Sequence, residues 1–378
     1  MNILFLSQGK KVSDHPGWHD ALLKLKNEGE ISNFINIPYL GFVEENGWNA
    51  FYQRVIELCE NEKFDLVYFH FFHKKDTPSP RHCIQTLKKI QNRPIVITSS
   101  GDGFSDSWMH PDYPKNFKEA SRLADITFST QMGKAADKMI KWGAKRIVYT
   151  PNSICQVRFK ASEINPNTHN FDFDVVFVGS KNSSKNPFSR NFWAARKRDK
   201  LVKALYNKYE NRFGLFGNGW NYSASQGPIP FNDQQEAFKR GRVVVGGNPY
   251  SYSDYYSSNR IFFEISSGIP TVELAVPRLN NVLRDKHHIY FAKDIEQLIK
   301  KIEDIFHLES VNVYKKAAIA AKDIENNHTQ YHRMKFKIDT VKKFKLNNYE
   351  LDVDFPFFLP EIDLEKEMKY AIKGKNQV

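Results

Sequence analysis

Arg260 and Glu264 stand four residues apart within Asp254–Leu274, which reads DYYSSNRIFFEISSGIPTVEL. On a helix that spacing places a guanidinium and a carboxylate on one face, able to reach one ligand or to pair with each other. Ahead of them Tyr256, Ser257, Ser258 and Asn259 put hydroxyls and backbone N–H groups where the helix begins, an arrangement that holds phosphate. Gly268 with Pro270 behind it marks the helix end, and Thr271–Leu274 follows as a buried strand.

Other chemistry-bearing residues sit at predicted strand ends. Asp172-Phe173-Asp174 has the D-x-D form of a metal site, but it runs directly into a buried strand and reads as polarity at the strand edge. In the first half, three strand ends carry Lys10-Lys11, His73-Lys74-Lys75 and Ser99-Ser100-Gly101-Asp102-Gly103. Asp102 in its glycine-flanked loop is a candidate proton acceptor for a hydroxyl, or simply an aspartate in a turn. His15, His19, His70 and His73 compete for that role, and His70 within an apolar run reads as a core histidine. The paired lysines suggest a ligand carrying negative charge.

These residues need a scaffold, and the chain predicts one. Short apolar runs (Ile3–Leu6, Phe64–Phe72, Pro94–Thr98, Ala124–Ser129, Arg146–Tyr149) alternate with amphipathic segments near 18–27, 51–59 and 82–91 and with one reaching about Trp142. A stretch rich in Asn, Pro, Ser and Thr interrupts the pattern after Pro151. It restarts with strands at 174–179, 212–217, 242–246 and 289–291, and helices at 196–209, 234–239 and 294–305. The expected architecture is α/β, with two Rossmann-like doubly wound domains facing across a cleft. Residues 1–157 form the first domain, 158–171 a linker, and 172–345 the second, its 310–345 portion helical and basic. Residues 346–378 form a tail packing back on the body.

With 378 residues, 41% hydrophobic and 26% charged, the chain has material for two ordinary cores. A net charge of +12 favours an anionic partner: nucleotide, nucleic acid or an acidic membrane surface. Cys59, Cys83 and Cys155, odd in number and far apart, argue against a disulfide framework or a structural zinc site. No apolar run approaches the ~18 residues of a membrane span, and the expected location is cytoplasmic.

The second half resembles the GT-B glycosyltransferases, and more closely the CgeB-like branch of the group 1 family. Phe177-Val178-Gly179-Ser180 with Arg198 is similar to that family's strand–loop–helix opening, and Leu215-Phe216-Gly217-Asn218-Gly219-Trp220 to its G-x-G-W turn. Asn259–Glu264 through Gly268-Ile269-Pro270 resembles its R-x-F-E…G-x-P donor motif, and His328-Thr329-Gln330-Tyr331-His332-Arg333 its downstream H-T-x-x-x-R signature. Thr150-Pro151-Asn152-Ser153 resembles its P-N turn. The resemblance implies a donor site built from Gly179, Ser180, Arg198, Gly217, Asn218, Gly219 and Tyr256–Arg260. Glu264 would accept the ribose hydroxyls and Arg260 would neutralise the departing diphosphate. The donor is a nucleotide-diphosphate sugar, with UDP-sugar favoured, and neither metal nor cofactor is expected.

Lys10, Lys11, His73 and Lys74 would bind an anionic or glycan acceptor, with Asp102 and Arg260 as the catalytic residues. Two departures stand out. Arg260 and Glu264 are one residue further apart than in R-x-F-E, and the first glutamate of retaining members is replaced by Tyr256. Two other readings stay open. One is a phage-type DNA glycosyltransferase acting on hydroxymethylated pyrimidines, with Trp18, Phe104 and Trp108 available to a flipped base. The other is a non-catalytic nucleotide-sugar-binding or coat-assembly module.

Overall fold

The computed structural model describes residues 1–72, 77–102, 113–181, 187, 190–248 and 253–374. The first half alternates β1 (Asn2–Ser7), α1 (Pro16–Asn27), β2 (Asn33–Pro38), α2 (Tyr39–Asn61), β3 (Leu66–His70), α3 (Arg81–Leu87), β4 (Ile95–Ser100), α4 (Lys115–Leu123), β5 (Ile126–Ser129), α5 (Lys134–Lys141) and β6 (Arg146–Tyr149). The second half continues with β7 (Phe173–Val178), α6 (Arg190–Tyr209), β8 (Phe213–Phe216), β9 (Ser225–Gly227), α7 (Gln234–Lys239), β10 (Gly241–Val245), α8 (Asn259–Ser266), β11 (Thr271–Leu274), β12 (Tyr290–Ala292) and α9 (Ile295–His307). Three helices and a short strand close the chain: α10 (Ser310–Asn327), α11 (Gln330–Leu346), α12 (Leu364–Ala371) and β13 (Ile372–Gly374).

Two sheets result, ordered β13-β6-β5-β4-β3-β1-β2 and β12-β11-β10-β7-β8-β9. Every pairing is parallel except β13 on β6. Helices cover both faces, so Ile3–Leu6 and Val175–Phe177 lose all solvent exposure and read as continuous apolar runs. The order reverses between β1 and β3 in the first sheet and between β7 and β10 in the second. At such points adjacent strands send their connections to opposite sides, which leaves a crevice at their carboxyl ends. All the site geometry below gathers at these two crevices.

Three elements differ from the sequence expectation. The helix expected near 51–59 begins at Tyr39, because Tyr39, Phe42 and Trp48 pack on Phe51, and it breaks at Gly47 (φ 81°). The basic helical stretch splits into α10 and α11 at His328-Thr329, where Thr329 caps α11 against His332. Residues 330–345, read within the second domain, belong to α11, which lies on α1 of the first half; Tyr331 donates to Glu28 (2.7 Å), and Lys335 and Lys342 both reach Glu30. Beyond them Phe355, Phe357 and Phe358 are buried around Tyr149, and β13 extends the first sheet. The chain therefore crosses between the halves twice.

Candidate functional site

Two loops at the carboxyl end of the second sheet are stitched together. After β7, the Gly179 N–H donates to the Phe216 carbonyl (2.7 Å), and its carbonyl accepts from the Trp220 indole N–H (2.6 Å). The Asn218 N–H donates to Ser180 Oγ (3.2 Å). A side chain on Gly217 (φ 136°) would meet the Gly179 carbonyl at 2.5 Å, so glycine is required at that crossing. Arg198, from α6, ties the loops down by donating to the Ser180 carbonyl (2.9 Å) and the Gly247 carbonyl (3.3 Å). The sequence anticipated these residues together, and the fold brings them together.

Arg260 and Glu264 do not form the surface ion pair that their spacing permits. Arg260 turns inward, its Nη1 2.9 Å from where a Cβ on Gly179 would stand. Glu264 is buried, and its Oε2 has no hydrogen-bond partner among the described residues. It shares its pocket with Glu273 on β11. A Cβ added to Gly246 would lie 2.8 Å from Glu264 Oε2 and 2.2 Å from Glu273 Oε2. Glu273 is held by the N–H groups of Asn248 (3.1 Å) and Leu274 (2.9 Å). Two further buried atoms nearby lack partners among the described residues, Asn248 Oδ1 and Ser257 Oγ. Buried polar atoms are almost always satisfied, so these three acceptors, without partners among the described residues, are available to a polar ligand.

The electrostatics of this pocket follow from burial. Desolvation and the neighbouring Glu273 carboxylate raise the Glu264 pKa well above the usual range, against the pull of Arg260 and Arg198. Burial lifts Glu273 to about 7, opposed by its two backbone N–H donors and by Lys197 and Arg260. Two buried carboxylates this close hold a proton between them near neutrality. A carboxyl raised from an unfolded value near 4.5 gives stability that is complete below 4.5 and lost as pH climbs through about 7. Glu273→Gln is therefore expected to flatten the fall in melting temperature between pH 5 and 8 and to melt higher than wild type at pH 8. A wild-type slope left intact in the variant would remove this assignment.

Across from the donor-side loops lies a cavity of about 500 Å³ at the crevice between β1 and β3. Asp14, His15, Trp18 and Phe71 line it from the first half, and Phe231, Asn259 and Phe263 from the second. Asn152 of the P-N turn stands at the junction, donating to the Gly101 carbonyl and the Ser257 carbonyl (both 2.8 Å). Burial and the nearby Arg158 lower the His15 pKa, so its imidazole is neutral at pH 7. Asp14 is held ionised by the N–H groups of Lys10 and Lys11.

Of the residues expected on the acceptor side, the described ones (Lys10, Lys11 and Asp102) do not line this cavity. Lys10 points to solvent, paired with Glu44, and Lys11 is likewise exposed; both meet Asp14 only through their backbone. Asp102 is exposed on the turn after β4, its N–H bonded to Ser100 Oγ (3.3 Å). His73, Lys74 and Lys75 lie outside the described residues, as do Phe104 and Trp108. The D-x-D aspartates sit at the opposite, amino end of β7, where Asp172 pairs with Arg240 (2.5 Å) and Asp174 with Arg212 and Arg242. Among the described residues, His328, Thr329 and Arg333 make no hydrogen bond to the donor loops. Buried Arg333 donates to the Pro151 (3.0 Å), Asn152 (3.3 Å) and Asn327 (3.2 Å) carbonyls and to His328 Nδ1 (2.6 Å), holding the P-N turn in place. Sequence reasoning missed Glu273. Its signal was an acidic residue in the middle of an otherwise buried Thr-Val-Glu-Leu strand.

Comparison with known proteins places this geometry in a wider set. Residues 196–339 match a protein-family model described as "Glycosyl transferase-like". No curated protein sequence matches the chain. Among solved structures, a glycosyltransferase from Rickettsia africae superposes with a TM-score of 0.59 at 12% identity, over 92% of this chain and 99% of that one. Anabaena HepE in complex with UDP and glucose gives 0.52 at 12%, over 92% and 100%. A T4 phage BGT variant in complex with UDP-glucose gives 0.50 at 13%, over 93% and 100%. The fold is the GT-B glycosyltransferase fold, two parallel-sheet halves facing across a cleft.

Proposed function

We propose that the protein transfers a sugar from a nucleotide-diphosphate donor, a UDP-sugar, to a hydroxyl acceptor seated in the cleft, without a metal ion. The observation that carries this reading is the set of buried acceptors without partners among the described residues at the crevice between β7 and β10, with Glu264 Oε2 at its centre and Arg198 and Arg260 beside it. Glu264 accepts two ribose hydroxyls when its proton resides on Glu273. The N–H groups opening α8, with Arg260, take up charge on the diphosphate as the sugar C1–O bond breaks. UDP is favoured because it accompanies structural neighbours of this fold. The family resemblance on the quoted motifs supports the CgeB-like branch.

The acceptor oxygen bonds to C1 and its proton passes to a base. We assign that base to His15 rather than Asp102, because His15 lines the cavity and its imidazole is neutral. The aromatic lining suits a sugar ring, which makes a glycan acceptor the first choice; a flipped DNA base is the competing occupant of the same rings.

Thermal melting with UDP, GDP, CMP, TDP, ADP and their sugar conjugates tests the reading. UDP and a UDP-sugar are expected to raise the melting temperature by several degrees at ~100-fold excess over Kd, with or without EDTA. No shift with any nucleotide points to a binding or coat-assembly module outside this chemistry. Turnover lost to EDTA and restored by Mn²⁺ would overturn the metal-free transfer.

A further inference from the structure

The described side chains of the twenty-residue helix α6 sort into an inward and an outward face. Ala194, Ala195, Leu201, Val202, Leu205 and Tyr209 are buried, and most of them enter the core of the second half. Facing outward at helical spacing are Trp193, Arg196, Lys200 and Lys203, all exposed, with the Trp193 indole 56% exposed. Among the described residues no carboxylate lies within 4 Å of Arg196, Lys200 or Lys203. Arg196 instead stacks over the Phe192 ring (4.7 Å), and Phe192 meets Trp193 edge-on (5.2 Å). Residues 181–208 hold nine lysines and arginines against the single acid Asp199, so this short segment supplies most of the chain's net +12.

We propose that the outward face of α6 docks the protein on an anionic lipid bilayer. Cations alone would serve any polyanion, but an indole held in water at the end of a lysine and arginine row serves an interface, where the ring enters the headgroup layer as the cations meet lipid phosphates. The placement fits delivery. The aromatic end of α6 follows the β7 loop at the carboxyl ends of the strands, so docking there sets the cleft beside the surface. No described helix is long and apolar enough to cross a membrane, so α6 acts as a surface contact. The inference uses none of the donor chemistry, and a failed nucleotide test leaves it standing.

Co-sedimentation of the full chain with phosphatidylcholine vesicles, with and without phosphatidylglycerol, decides it. Binding is expected only to the anionic vesicles, with release at high salt and a blue shift of tryptophan emission on binding. Lys200→Ala with Lys203→Ala should lower binding roughly tenfold or more, and Trp193→Ala should weaken it and reduce the blue shift. The melting temperature and circular dichroism of each variant without ligand serve as the check on folding. Equal binding to neutral vesicles, no binding to anionic ones, or variants that bind like wild type would each overturn the proposal. So would release from anionic vesicles by duplex DNA held equally well after Trp193→Ala, which would identify the face as a site for soluble polyanions.

Discussion

Glu264→Ala is expected to weaken UDP binding by about two orders of magnitude in a calorimetric titration, while the protein stays folded. The size follows from the bonds removed. With the shared proton on Glu273 in the bound state, hydrogen bonds to the Glu264 carboxylate are worth about 1.5–3 kcal/mol each, and roughly 3 kcal/mol is about a hundredfold in Kd. Stability should hold because Glu264 Oε2 is buried with no partner among the described residues beside a second carboxyl, an arrangement whose removal relieves desolvation and like-charge repulsion. Glu264→Gln separates charge from shape: it keeps one oxygen acceptor and should fall between wild type and alanine. The Glu273→Gln variant should retain UDP affinity at neutral pH or above, since the two carboxyls no longer compete for a proton. Unchanged UDP affinity in Glu264→Ala would remove the donor site from this pocket altogether.

Arg333→Ala is expected to destabilise the protein by about 3 kcal/mol, although Arg333 lies in the motif that resembles donor-site families. Its guanidinium is buried, with burial depressing its pKa to about 9, and it bonds three main-chain carbonyls and one imidazole. Phe357 lies under the same group at 5.1 Å. Truncation orphans those acceptors at about 1–3 kcal/mol apiece, partly offset because the arginine no longer has to be desolvated. Since two of the carbonyls belong to Pro151 and Asn152, and Asn152 bridges Gly101 to Ser257, the variant should also bind UDP more weakly without touching it. Arg333→Lys keeps the charge but not the planar fork and should recover little of the loss. A urea midpoint within experimental error of wild type would show that the turn is held by other contacts.

What could be read in advance depended on locality. The runs Ile3–Leu6 and Val175–Val178 announced strands covered on both faces, because solvent exclusion demands apolar side chains at every position. Gly268 (φ 73°) and Gly217 (φ 136°) announced a helix end and a tight crossing, because other residues are strained there. Lys10 and Lys11 misled for the same reason: being next to a strand end in sequence says nothing about which way a side chain leaves the backbone.

The sequence by itself determined the alternation of strands and helices, two α/β halves, and the helix start that carries Arg260 and Glu264, since each depends on patterns within about one helix or strand length. Only the tertiary structure decided that Glu273 meets Glu264 over Gly246, that α11 returns to α1, that Arg333 secures the P-N turn, and that His15 and Trp18 line the cleft. Those juxtapositions arise from which strands become neighbours where the sheet order reverses and from the chain crossing twice between the halves. They join residues tens to hundreds of positions apart, whose contacts are chosen by the burial of whole faces, and no local pattern records them.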